Sequence, residues 1–166
     1  MELQGRSASQ VVIRVGVVGE SALQQLSAWL STEWSDGADA NEWLAAMERR
    51  LVRQTDMAGV LLAERAGKML GCVSTFDSAL ADFGDVKPWI SGLFVSPEHR
   101  GSGLGALLMA EAERCVASAG FEAAYLHTTN AFVYHQRRKW MLFAEFQKNG
   151  ESVYVMKKNI ATQSPT

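Results

Sequence analysis

"KPWISGLFVSPEHRGSGLGALLMAEAE" (residues 87–113) runs from an apolar stretch through a glycine-rich turn into a helix. Pro88 stands at the start of the strand, where a missing N–H does least harm. Gly101, Gly103 and Gly105 alternate where helical periodicity begins, a stripe read as Leu104, Leu107, Leu108, Cys115 and Ala119. Glycine costs about 1 kcal/mol against alanine inside a helix, so three together need a compensating role. A helix N-terminus offers unpaired N–H groups and about half a positive charge, and glycines before it let a phosphate oxygen approach. Arg100 would add a charge-assisted contact. The functional reading is a diphosphate-binding turn, and the alternative is a flexible loop that holds no ligand.

On the N-terminal side, the pattern predicts a strand over 11–18 and helices over 20–34 and 41–54. Two strands, 58–64 and 68–76, follow around a tight turn at Ala66-Gly67. After an acidic stretch at 77–86 comes the strand 87–95. Beyond the long helix the chain predicts a strand over 121–128, a short helix over 130–139, and two strands, 140–146 and 151–158, around "QKNG". This order suits a mixed α/β domain with a largely antiparallel sheet better than a regular strand-helix alternation. One domain over 1–166 is expected, with frayed termini at 1–9 and 160–166.

A dinucleotide-binding reading competes for the glycines. Gly101-x-Gly103-x-x-Ala106 matches the relaxed fingerprint, with Glu122 at a suitable distance. That motif opens a unit with parallel strands still to come, whereas here only about sixty residues remain and end in a hairpin pattern.

The same stretch resembles the GNAT superfamily of N-acetyltransferases: a strand, the signature R/Q-x-x-G-x-G/A matched by Arg100, Gly103 and Gly105, and a long helix. The element order is also similar over nearly the whole chain. The resemblance implies the GNAT fold, a mixed, mostly antiparallel sheet of about seven strands flanked by about four helices. It implies acetyl-CoA as co-substrate, with Arg100, Gly101, Ser102, Gly103, Leu104 and Gly105 at the diphosphate and Leu93, Phe94 and Val95 along the pantetheine arm. It further implies transfer of acetyl to a primary amine by direct attack in a ternary complex. A reading from another class is an acyl-CoA-binding module without catalysis, suggested by departures around the expected acid.

The chemistry makes two demands: the amine must be neutral to attack, and the departing thiolate must be protonated or stabilised. Deprotonating a lysine-type amine at pH 7 costs about 4–5 kcal/mol, an α-amine only about 1. In the family a tyrosine within Y-x-x-x-G-[FW] commonly faces the sulfur. Counting back from Trp140 without a gap puts Lys139 at the glycine and His135 at the tyrosine; one extra residue in the turn restores Tyr134. Tyr134 is favoured, because a phenol is nearly all protonated at pH 7 whereas histidine is partly charged. Asn130, read as the helix N-cap, shares the face of Tyr134 and is implied near the pantetheine. Candidates for the base are His127, read equally well as a core histidine, Glu33, or a water relay. The resemblance of "SAWLSTEW" and "KPWISG" to one subgroup makes Trp34, Trp89 and Ser91 candidates for acceptor contact, with core packing the alternative for the tryptophans. The run "RRK" (137–139) reads first as a solvated helix end that suits the dipole, with approach to the 3′-phosphate of CoA the alternative.

Net charge is −2 and 48% of residues are hydrophobic, which gives no basic field for nucleic acid or an anionic membrane. Partners are then a small-molecule amine or a protein amine, and the family's dimers make a homodimer an expectation. Cys72 and Cys115 read as buried reduced thiols without a CxxC pattern. No metal-ligand spacing occurs, and no signal or spanning segment is read, so a cytoplasmic enzyme is expected.

Overall fold

The computed structural model describes residues 10–16, 19–34, 45, 59–76 and 81–160. The described elements are β1 (Val12–Gly16), α1 (Glu20–Trp34), β2 (Val60–Arg65), β3 (Lys68–Phe76), β4 (Trp89–Val95), α2 (Leu104–Ser118), β5 (Ala123–Thr128), α3 (Phe132–Gln136), β6 (Met141–Lys148) and β7 (Glu151–Asn159). Short 3₁₀ turns lie at Ala81–Phe83 and Pro97–His99. The helix expected over 41–54 lies outside the described residues, apart from Ala45. None of the described helices is long and apolar enough to cross a membrane.

The seven strands form one sheet in the order β1-β2-β3-β4-β5-β7-β6. All neighbours are antiparallel except β4 and β5, which run parallel and share a single register pair, Trp89↔Tyr125. The period-2 pattern explains how helices cover both faces. Leu61 and Ala63 of β2 pack with Leu104, Leu108, Ala112 and Val116 of α2, whereas Val60 and Leu62 pack with Leu26 and Leu30 of α1. Each fully buried leucine contributes about 1.5–3 kcal/mol through area removed from water. A Cβ on Gly71 would stand 2.6 Å from the Phe94 carbonyl oxygen, so glycine here lets β3 and β4 approach.

Some local expectations change. Leu107, placed in the apolar stripe, is 48% exposed, while Met109, Ala112 and Val116 are buried instead. Cys115 is only half-buried. The tail is docked as far as Ile160: its N–H donates to the Glu122 carbonyl (2.8 Å) and its side chain joins the core. Residues 161–166 lie outside the description.

Candidate active site

From Ser91 onward β4 has no register partner in β5, so the sheet opens between them. A cavity of about 1450 Å³ occupies the opening. Leu93, Phe94 and Val95 line one wall, with the turn after β4 and the start of α2 at its end. The Phe94 side chain is buried and stacked on Trp29, ring centroids 4.9 Å apart, which leaves its backbone to serve the cavity. Opposite the residue pair Cys72 and Ser74, β4 carries one extra residue, and Gly92 takes φ +67° there. This is a β-bulge, and it bends the strand at the opening.

The glycine turn is built by backbone angle. Gly101 and Gly103 have φ of +78° and +85°, and a Cβ on either would meet no other atom of the described residues within 4 Å. Protein crowding therefore leaves the space beside them open; the left-handed backbone is what a side chain would strain. Gly103 caps α2 without a side-chain hydrogen bond, and the Leu107 N–H donates to its carbonyl (3.1 Å). The N–H groups of Leu104, Gly105 and Ala106 precede that bond and have no helical acceptor. Ser102 turns its hydroxyl back to the His99 carbonyl (2.5 Å), and the His99 Nδ1 lies 2.7 Å from the Ser96 hydroxyl. Arg100 borders the cavity but is braced elsewhere. Its Nε donates to the Val95 carbonyl (2.9 Å), one amino group to Glu33 Oε2 (3.4 Å), and its guanidinium covers the Phe94 ring at 5.4 Å.

Tyr134 and His135 both reach the cavity, in different states. The Tyr134 hydroxyl oxygen lies 3.2 Å from where a Cβ on Gly105 would stand, so it reaches the first turn of α2. His135 is 7% exposed and edge-on to Trp140, and among the described residues its Nδ1 has no hydrogen-bond partner. Burial, with a smaller contribution from Arg138, lowers its pKa from 6.5 to about 4. In the turn beyond, the Arg138 and Lys139 N–H groups donate three residues back, and the Trp140 N–H donates to the His135 carbonyl, 3.2 Å away. Lys139, counted above onto the glycine of the pattern, adopts φ +72°, a left-handed conformation that favours glycine.

The buried neutral imidazole has a consequence for stability. Between pH 6.5 and about 4 the unfolded chain binds a proton at His135 that the folded chain does not, so folding weakens as pH falls. The loss is of order 3 kcal/mol at pH 4. Urea unfolding of wild type and His135→Asn at pH 7 and pH 4.5 checks this: the acid loss should be smaller in the variant, and equal losses would refute it.

The other predicted residues divide. Glu33 borders the cavity as the partner of Arg100. His127 is exposed in the cavity, its ring 6.1 Å from that of Trp89, which corrects the core reading. Ser91 lines the cavity. Trp89 has no exposed surface and donates from Nε1 to the Val86 carbonyl (2.6 Å), so it is packed in the core and does not line the cavity. Trp34 ends α1, and its side chain lies outside the description. Asn130 lines the cavity one residue before the N-cap, which is Ala131; the Ala131 N–H is held by the Thr128 hydroxyl (3.0 Å). The Cys72 thiol is pushed up to about 12 by burial, which removes it as a nucleophile.

Sequence reasoning missed His99, Lys148 and Glu151 on the cavity wall. Arg138 was visible only as part of a basic run. Lys148 and Glu151 arrive through the pairing of β7 with β5, which no local pattern announces.

A model of the acetyltransferase (GNAT) family matches residues 23–138. No curated protein matches the chain by sequence. Solved structures share the fold. A proposed acetyltransferase from Salmonella typhimurium, with its cofactor acetyl-CoA, is 18% identical at a TM-score of 0.70, covering 95% of this chain and 98% of its own. An aminoglycoside 6'-N-acetyltransferase complexed with coenzyme A is 15% identical at 0.73, covering 93% and 99%. An N-acetyltransferase from Staphylococcus aureus is 13% identical at 0.73, covering 92% and 100%. The family match spans well over half of the sequence and includes the glycine turn, the open strand edge and Tyr134: the chain belongs to the GNAT acetyltransferase family.

Proposed function

We propose that the protein is an acetyl-CoA-dependent N-acetyltransferase acting on a primary amine by direct attack in a ternary complex. The observation that carries this reading is that the glycine turn, the open edge of β4 and Tyr134 border one cavity. The fit is supported by the vacant space beside Gly101 and Gly103, next to N–H groups without helical acceptors. Arg100 and the N–H groups from Gly101 to Gly105 would hold the diphosphate, and the backbone of Leu93, Phe94 and Val95 the pantetheine arm. When bound, acetyl-CoA supplies the thioester carbonyl and a thiolate leaving group.

The chain's own residues would then manage protons. Tyr134 serves as the acid for the departing sulfur, with Asn130 beside it on the cavity wall. Glu33 and His127 are the two side chains proposed to take the amine proton, directly or through water; Ser91 borders the acceptor. Buried and neutral His135 is better suited to packing behind Tyr134 than to cycling a proton.

Titration calorimetry with acetyl-CoA is expected to give saturable binding; folded protein that binds none at millimolar ligand would sink the proposal. An acceptor screen read by free CoA thiol tests transfer, and binding without thiol release from any amine would favour a non-catalytic module. With an acceptor found, Glu33→Gln and His127→Gln assign the base by which of them abolishes the acid limb of the kcat profile.

A further inference from the structure

Resting on the reading of Tyr134 as the acid, we propose that Arg138 is a positioning residue for its hydroxyl. The Arg138 guanidinium carbon lies 3.7 Å from the Tyr134 ring centroid, at stacking distance. One of its amino groups also donates to the Tyr134 carbonyl (3.2 Å), so one side chain holds both ring and backbone of the same residue. The edge-on His135 ring, 5.1 Å away, borders the phenol from another direction. Tyr134 thus has its ring plane fixed by contact while its hydroxyl reaches toward Gly105.

The arrangement depends on the turn that follows α3. Arg138 occupies the turn between α3 and the left-handed Lys139, and its own N–H donates to the His135 carbonyl (2.9 Å), which ties the turn down. The bound guanidinium also sits where charge appears. When the hydroxyl proton passes to the thiolate, the O–H bond breaks, an S–H bond forms, and negative charge stays on the phenol until water returns a proton. A cation on the ring face favours that distribution.

The test uses wild type, Tyr134→Phe, Arg138→Gln, the double variant and Arg138→Lys. In ligand-free protein with ring-labelled tyrosine, Arg138→Gln is expected to move the Tyr134 resonances and leave those of Tyr125 and Tyr154 in place. In kinetics with acetyl-CoA and the amine found by thiol release, Arg138→Gln should lower kcat about tenfold with little change in KM. Arg138→Lys should recover part of the loss, and Arg138→Gln should add almost nothing to Tyr134→Phe, because the residue acts through the hydroxyl. Unmoved resonances, additive losses, or a raised KM at constant kcat would overturn the proposal, the last marking Arg138 as a phosphate contact. If Tyr134→Phe itself leaves kcat intact, the acid reading fails first. Where Arg138→Gln melts much earlier than wild type, Arg138→Lys carries the comparison.

Discussion

Tyr134→Phe is expected to lower kcat at neutral pH by about 10²-fold while the KM for acetyl-CoA stays within about two-fold. The substitution removes one oxygen and keeps the ring, so the contact with Arg138 and the packing against His135 survive. What is lost is the hydroxyl that lies beside the first turn of α2. A group that acts only on the leaving sulfur contributes to the transition state and little to ground-state binding, hence the split between kcat and KM. Steady-state rates of CoA release measure it. If His135→Ala proves the damaging change and Tyr134→Phe the harmless one, the acid has been assigned to the wrong side chain, and the alignment without an extra residue was right.

Gly103→Val should weaken acetyl-CoA binding by at least about 10²-fold, and calorimetry reads it directly. Two costs combine. At φ +85° a β-branched residue is strained, by more than the roughly 1–2 kcal/mol that a left-handed conformation costs an ordinary L-residue. Relaxing that strain turns the N-terminal peptide of α2 and misaligns the N–H groups that would meet the diphosphate. Even an unrelaxed side chain would stand in the open space on which the binding proposal rests. The loop is exposed and the core lies elsewhere, so the melting temperature should fall by only a few degrees. Unchanged affinity in a folded variant would refute the assigned turn. Gly105→Ala offers a graded contrast: its Cβ would press on the Tyr134 hydroxyl at 3.2 Å, so the expected effect is on kcat.

Elements whose signals are local were legible in the sequence. The helix at 20–34 and the strand at 68–76 occur over those residues, because a tight turn and unbroken periodicity mark their ends. The outward turn of Leu107 shows where a leucine count misleads. At about 100° per residue, the buried positions of α2 fill an arc whose centre lies about 140° from Leu107. Apolar type alone did not say which arc would meet the sheet. Counting could not show that the Tyr134 hydroxyl reaches the first turn of α2 while His135 is buried against Trp140, since both depend on how the fold packs the short helix. Trp89 was read toward the acceptor because of its neighbours in sequence, yet its indole N–H finds the Val86 carbonyl, and burying the rest of the ring then costs no polar partner.

The position of β7 between β5 and β6 has a consequence for how the molecule is made. During synthesis β5 and β6 both emerge before the strand that joins them, so neither has its antiparallel partner until residues 151–159 follow. The β4 edge meets β5 at one register pair and cannot hold that half of the sheet by itself. The half of the cavity that carries Tyr134 therefore assembles late, by long-range pairing, while β1 to β4 close through near neighbours. Stopping translation before Glu151 would leave a nascent chain without the strand that pairs both β5 and β6.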